Sequence, residues 1–283
     1  MPRPNRRAAT QPASSSLRSA AVSALLFTLV VGLASTASGQ DSGDDLAQQL
    51  ANPVASLISV PFQLNYDEGL GIGGNGEAWR MNVQPVIPIS LNDDWNLISR
   101  TILPIVDQND VPFSGDDAFG LGDTVQSFFF SPKDPTAGGW ILGVGPAFLL
   151  PTATDRTLGL DEWAAGPTAV ALKQQGGWTY GALTNHLESF AGDGRADVSA
   201  TFIQPFVSYV TAGSTTYVLN TESTYDWNLE DWSVPINFGV SQLITSGRTP
   251  VSIGAQLRYW ATAPNGQPSG WGVRLIYTLL FPK

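Results

Sequence analysis

Four arginines stand where fixed charge could act on a small solute: Arg80, Arg100, Arg258 and Arg274. A guanidinium stays protonated at any working pH, and its planar fork matches a carboxylate. Arg80, Arg258 and Arg274 each sit between two apolar neighbours, Trp79 and Met81, Leu257 and Tyr259, Val273 and Leu275. Strand alternation would therefore turn them to the face opposite those neighbours. With Glu222 they form the candidate pore lining: Arg80, Arg100, Glu222, Arg258 and Arg274. Rings of arginine favour anions at a constriction. A second reading stays open beside it, in which the arginines pair with Glu222 or Asp226 and fill a small barrel with a salt-bridge network.

Other chemistry has less support. There is no cysteine and a single histidine, His186. Thiolate and multi-histidine metal sites are thereby excluded, and a Ser-His-Asp relay has one available base. Asn185 adjoins His186, but adjacent strand residues face opposite ways, so Asn185 cannot orient that ring. His186 reads as a rim residue. The glycines of GLGIGGNG, Gly69–Gly76, lack the Lys-Ser/Thr continuation of a phosphate loop and read as an outer loop. Asp107, Asp110, Asp116 and Asp117 match no calcium-loop spacing. The expectation is no catalytic residue, no metal and no cofactor.

The elements that must position the arginines begin after residue 39. The first 39 residues carry Arg3, Arg6, Arg7 and Arg18, no acid, an apolar run from Ala20 to Ala34, and Ala37-Ser38-Gly39 at the end. That is the pattern of a cleaved signal peptide, with cleavage before Gln40. The run of about 15 residues is shorter than the ~20 of a spanning helix. Gln40–Lys283 has a formal charge of −14, which argues against nucleic acid as a partner. Only 13% of the chain is charged, against about a quarter in soluble domains, so something other than water covers part of its surface.

Period-two alternation fills this region. Ile58, Val60, Phe62, Leu64 and Tyr66 oppose Ser59, Pro61, Gln63 and Asn65, and Trp79, Met81, Val83, Pro85, Ile87 and Ile89 oppose Arg80, Asn82, Gln84 and Ser90. Further strands are expected near 95–106, 123–131, 139–151, 163–173, 178–189, 198–211, 215–227, 232–244, 250–261 and 271–281, making about twelve. Alternation is weak in 178–189 and 198–211, and their faces are not assigned. Thr124, Gln126, Asn220 and Gln256 are placed with the arginines on the polar faces. Long connections, Asp67–Ala78, Asp107–Gly122, Thr152–Glu162, Phe190–Asp197 and Thr262–Gly270, alternate with tight turns; Asn228–Asp231 is a short exception. All nine tryptophans fall near strand ends, as in aromatic girdles. The implied fold is all-β, an antiparallel transmembrane β-barrel after the signal peptide. Residues 40–56 form a periplasmic N-terminal segment and 57–283 the barrel. Eight prolines inside the strands, Pro61, Pro85, Pro88, Pro104, Pro146, Pro167, Pro205 and Pro235, each remove a ladder donor and imply a bulged or locally opened wall.

The segments Leu50–Gln63, Gln84–Ile105, Gly120–Lys133, Gly145–Asp155, Asn220–Trp227 and Leu279–Lys283 resemble a bacterial outer-membrane family described by the MetA pathway of phenol degradation. Some of its members carry a neuromedin U label. The resemblance implies an outer-membrane barrel passing small, often aromatic, compounds, and carries over no functional residue. A last strand with Val273, Leu275, Tyr277, Leu279 and Phe281 resembles the signal read by the barrel-assembly machinery, although Pro282 and Lys283 follow the aromatic. The expected location is the outer membrane, with lipid, the assembly machinery and a small solute as partners. Two functions follow: a porin-like channel for passive diffusion, or a non-conducting structural or adhesion barrel presenting loops.

Overall fold

The computed structural model describes residues 40–194, 197–246 and 249–282, and the expected signal peptide, 1–39, lies outside them. The chain opens with a helix, α1, Gln40–Leu50. Asp44 and Asp45 in its first half favour the positive end of the helix dipole. Leu46, Ala47 and Leu50, spaced one and four apart, give it one apolar face. Among the described residues no helix is long and apolar enough to cross a membrane.

Fifteen strand segments follow: β1 Ile58–Leu70, β2 Gly76–Val83, β3 Val86–Ser90, β4 Trp95–Asn109, β5 Ala118–Leu121, β6 Thr124–Pro132, β7 Trp140–Leu150, β8 Glu162–Gln175, β9 Trp178–Gly192, β10 Ser199–Val210, β11 Thr215–Thr221, β12 Ser223–Asp226, β13 Asp231–Ile244, β14 Val251–Thr262 and β15 Gly270–Phe281. Three pairs, β2 with β3, β5 with β6 and β11 with β12, are single staves broken by one or two residues. Every neighbour is antiparallel, and β15 pairs back onto β1 from Ile58↔Phe281 to Tyr66↔Val273. The result is a closed barrel of 12 strands. Closure leaves no sheet edge, as a spanning β-structure requires in lipid.

Register fixes the faces. Val60, Phe62, Leu64 and Tyr66 on β1 stand beside Leu279, Tyr277, Leu275 and Val273, all outward. Phe238, Leu257 and Ile253 are among the large apolar side chains left exposed on the same outer face. Such a band needs lipid. Eight tryptophans lie on the outside near strand ends, several in tilted contact with a tyrosine: Trp79 with Tyr66, Trp178 with Tyr209, Trp271 with Tyr259. Trp260 is the exception. It shares the inward parity of Arg258 and points into the barrel.

Two expectations change. The contrast between loops and turns is smaller than the composition suggested, because the ladder climbs into the Asp- and Gly-rich segments. Asp67↔Ala78 and Glu68↔Glu77 continue β1 and β2, leaving 71–75 as the loop, where Gly71 and Gly74 take positive φ. Gln126 shares parity with Phe128 and Phe130 and faces outward rather than into the lumen, and Thr124, of the same parity, is buried with its hydroxyl 2.7 Å from Thr152 Oγ1. Gln126 accepts from Thr101 Oγ1 at 2.6 Å and donates to Ser99 Oγ at 3.1 Å. This outward polar trio bonds within itself, which is why alternation by polarity misplaced Gln126.

Several of the prolines break the wall, whereas Pro61, Pro88 and Pro205 sit in uninterrupted ladders to β15, β4 and β9. Pro85 separates β2 from β3, and Pro104 lies beside the gap between β5 and β6, accepting from Gly122 N at 2.9 Å. Pro146 and Pro167 face each other across β7 and β8. On either side of them the ladder lapses, between β6 and β7 at Phe128–Phe129 and between β8 and β9 at His186–Leu187. Gly145 and Gly166 fill these lapses. A Cβ at either would run into the neighbouring backbone, at Phe128 O and His186 O.

Candidate functional site

The interior begins with the segment before β1. Leu46, Ala47, Leu50, Ala55 and Leu57 pack on Val210, Leu243 and Leu280, which face inward at the end of the barrel where β10 ends and turn 211–214 lies. Val54 reaches further round, into a cluster with Ile98, Phe129, Val170, Leu172 and Leu183. Polar ties hold the same segment. Asp44 Oδ1 accepts from Ser214 Oγ at 2.6 Å and from Gly213 N at 3.2 Å, and Gln174 Nε2 donates to Gln48 O at 2.7 Å. Gly43 permits the approach, since a Cβ there would stand 2.7 Å from Ser214 Oγ. Residues 40–57 therefore occupy the lumen at this end as a plug. Sequence reading missed the helix, although the spacing of Leu46, Ala47 and Leu50 carries its signal.

All four candidate arginines face the lumen, in two different states. Arg274 sits in a buried cage: Nη1 and Nη2 donate to Glu222 Oε1 and Oε2 at 2.7 and 2.8 Å, and Nε donates to Asn65 Oδ1 at 2.6 Å. Arg258 donates through Nη1 to Asp67 Oδ2 at 2.8 Å and through Nε to Asn237 Oδ1 at 3.2 Å, with its guanidinium 5.1 Å from the centre of the Trp260 ring. Trp260 Nε1 donates to the other oxygen of Asp67 at 2.9 Å. Bidentate pairing of this kind is the strong form of the interaction.

Arg80 and Arg100 are different. The Arg80 guanidinium makes no hydrogen bond or ion pair among the described residues and is exposed toward the lumen. Arg100 has a single long bond, Nη2 to Gln84 Oε1 at 3.3 Å. The two readings of the arginines thus divide by residue: Arg258 and Arg274 form the network, Arg80 and Arg100 remain available. Glu222 lies in the break between β11 and β12 and is spent on Arg274. Asp226 does not join, since Oδ1 caps the 227–230 turn by accepting from Asn228 N and Leu229 N. Asp67, Asn65, Asn237 and Trp260 were not singled out from sequence. Asp67 was assigned to a loop because Asp-Glu-Gly follows Tyr66, yet it has the same odd-numbered parity as Gln63 and Asn65.

The opposite wall carries little charge. Ala147, Leu149, Ala164, Leu187 and Val198 form one inward apolar cluster on β7, β8, β9 and the approach to β10. The Val54 cluster forms a second below it. The lumen is amphipathic in cross-section, with a charged wall on β1, β14 and β15 and an apolar wall on β6 to β9. Between plug and wall lies a cavity of about 260 Å³, with Arg100 the charged side chain on its lining.

His186 points outward. Its Nδ1 is 2.9 Å from Thr201 Oγ1 and its Nε2 3.5 Å from Glu188 Oε2, while Thr201 Oγ1 also accepts from Trp227 Nε1. Asn185 pairs with Thr168 on the inner face, as alternation requires. Among the described residues no group of three or more His, Cys, Asp and Glu is placed to hold a metal ion.

No protein-family model matches the chain, and no curated protein matches it. Solved structures do. The COG4313 outer membrane channel from Pseudomonas putida F1 superposes with a TM-score of 0.63 at 16% identity, over 80% of this chain and 96% of that one. Outer membrane phospholipase A from Escherichia coli gives 0.46 at 12% identity, over 85% and 98%. A porin structure refined at 1.8 Å gives 0.38 at 12%, over 79% and 99%. The likeness to the first establishes that this chain has the fold of an outer-membrane β-barrel.

Proposed function

We propose that this chain is an outer-membrane channel that passes small molecules, aromatic or anionic, by passive diffusion. The observation that carries the reading is a closed barrel, apolar outside, whose lumen presents two arginines without a paired acid, Arg80 and Arg100. A channel needs a polar path and a charged narrow point rather than a catalytic centre. Apolar and aromatic solute bodies suit the opposite wall. Export through the N-terminal signal, insertion by the assembly machinery through β15 and membership of the MetA-pathway family belong to the same reading.

A non-conducting barrel is the second reading, favoured by the plug at one end and by the commitment of Arg258 and Arg274 to ion pairs. Planar-bilayer recording separates the two. The channel reading expects discrete conductance steps and a reversal potential in a salt gradient that shows anion preference. Arg80→Ala and Arg100→Ala should each weaken that preference. Absence of steps, or cation preference in the unsubstituted chain, would overturn it.

A further inference from the structure

Polar side chains in the middle of a lipid-facing wall need a reason, because hydrocarbon offers them no hydrogen-bond partner. Ser99, Thr101 and Gln126 are such a group. β4 runs from Trp95 in one girdle to the level of Asp107, which pairs with Trp79 in the other, and Thr101 stands midway between them. The trio therefore lies near the bilayer midplane, on the outer face of β4 and β6. Its internal bonds use both donors of the Gln126 amide, on Ser99 Oγ and Ser127 O, and the Thr101 hydroxyl proton, on Gln126 Oε1. The Ser99 hydroxyl proton has no acceptor among the described residues, and Gln126 Oε1 keeps a second lone pair. One donor and one acceptor are left over side by side, facing lipid. Around them stand Ile87, paired with Ser99, and Phe128 and Phe148, in edge contact with each other.

We propose that this face of β3, β4 and β6 is the interface of a homodimer in the plane of the membrane, two trios meeting across a two-fold axis along the bilayer normal. A second copy is the occupant that the chemistry selects. In a common bilayer it presents the same trio at the same depth, and the two-fold axis lets each Ser99 hydroxyl donate to Gln126 Oε1 of the other copy. The apolar rim gains little by exchanging lipid for another apolar surface, so the polar pairing supplies the specificity. The far side of the barrel has no counterpart at this depth, since Ile236, Phe238 and Val240 on β13 face lipid beside Tyr259, Leu257 and Ala255 on β14. The interface is independent of whether the lumen conducts.

The chain has no cysteine, so a single introduced thiol reports the face that meets its copy. The test places Ile87→Cys, beside the trio, and Phe238→Cys, midway along β13, separately in phosphatidylcholine vesicles at high lipid-to-protein ratio and treats each with a short bismaleimide. Ile87→Cys should give covalent dimer at least about fivefold above Phe238→Cys. Gln126→Leu and Ser99→Ala, each combined with Ile87→Cys, should lower that yield about three- to tenfold, the change expected when one polar pair is lost in lipid. Heat-modifiable migration in gels identifies the chains that keep the barrel, and Ser99→Ala, which removes a single oxygen, carries the test if Gln126→Leu does not fold. Equal yields from the two thiols, no linked dimer from Ile87→Cys, or a yield unchanged by Ser99→Ala and by Gln126→Leu would overturn the interface.

Discussion

The wall made by β13, β14, β15 and β1 and the wall made by β6 to β9 use the same antiparallel ladder and differ on their inner faces. The first pairs without a lapse from Ile236↔Tyr259 to Ile244↔Val251 and from Val251↔Leu279 to Trp260↔Gly270, and it aims Asn65, Asp67, Arg258 and Arg274 inward. The second is interrupted at Pro146 and Pro167 and presents alanine, valine and leucine to the lumen. Buried charge demands fixed geometry, because each donor must meet its acceptor. The stretches that carry Asn237, Arg258 and Arg274 are in regular ladder, with the irregularities at Val234–Pro235 and at Glu222 falling outside them. Apolar contacts are non-directional and accommodate lapses.

The largest effect expected is on the charged wall. Arg274→Ala leaves Glu222 buried without its partner and should lower unfolding free energy in urea by about 3–5 kcal/mol. A change below about 1 kcal/mol would mean that the cage is not a structural unit. On the apolar wall, Leu187→Ala should cost about 2–4 kcal/mol through lost burial and a cavity, unless the proline-broken ladder lets the site collapse. A loss well under that range would show that this wall relaxes more readily than the other.

Amide exchange sharpens the contrast at lower energy. Phe128–Phe129 and His186–Leu187 flank the lapses and should exchange faster than Gly254–Arg258 at comparable depth on β14. Equal protection would erase the difference between the walls. The smallest effect concerns the outward trio: Gln126→Leu removes the partner of Ser99 and Thr101 and should cost about 1 kcal/mol, the scale of polar pairs facing lipid.

What the sequence disclosed follows the same division. Where one face is apolar and the other polar, as in β1, β13 and β15, alternation by polarity matches the parity of the ladder. β9 and β10 were unreadable because Leu183 and Leu187, Phe202 and Phe206 face inward while Tyr180, Ile203 and Val207 face outward, so both faces are apolar. The breaks near Pro85, Pro104, Pro146 and Pro167 were legible since a missing donor is a property of the residue itself, while the same reading over-predicted breaks at Pro61, Pro88 and Pro205. Pairing partners were not. Whether Arg274 reaches Glu222, 52 positions away, and Arg80 reaches none depends on shear and on the break at Glu222, which no local pattern encodes. The helix was legible in the spacing of Leu46, Ala47 and Leu50, but its place in the lumen was not, since the wall that receives its eleven residues is not a local feature.

Residues 40–57 close one end of a two-walled lumen, and a reversible tether between plug and wall tests that closure. The chain has no cysteine, so Asp44→Cys with Ser214→Cys, replacing groups 2.6 Å apart, introduces a single possible disulfide between plug and wall. The measurement is single-channel conductance of this variant in a planar bilayer, before and after reductant, beside each single substitution. Conductance should be low while the bridge holds, rise severalfold on reduction, and show no response to reductant in the single variants. Identical conductance in the oxidised and reduced states would contradict closure by the plug, because solute would then be passing without movement of the plug.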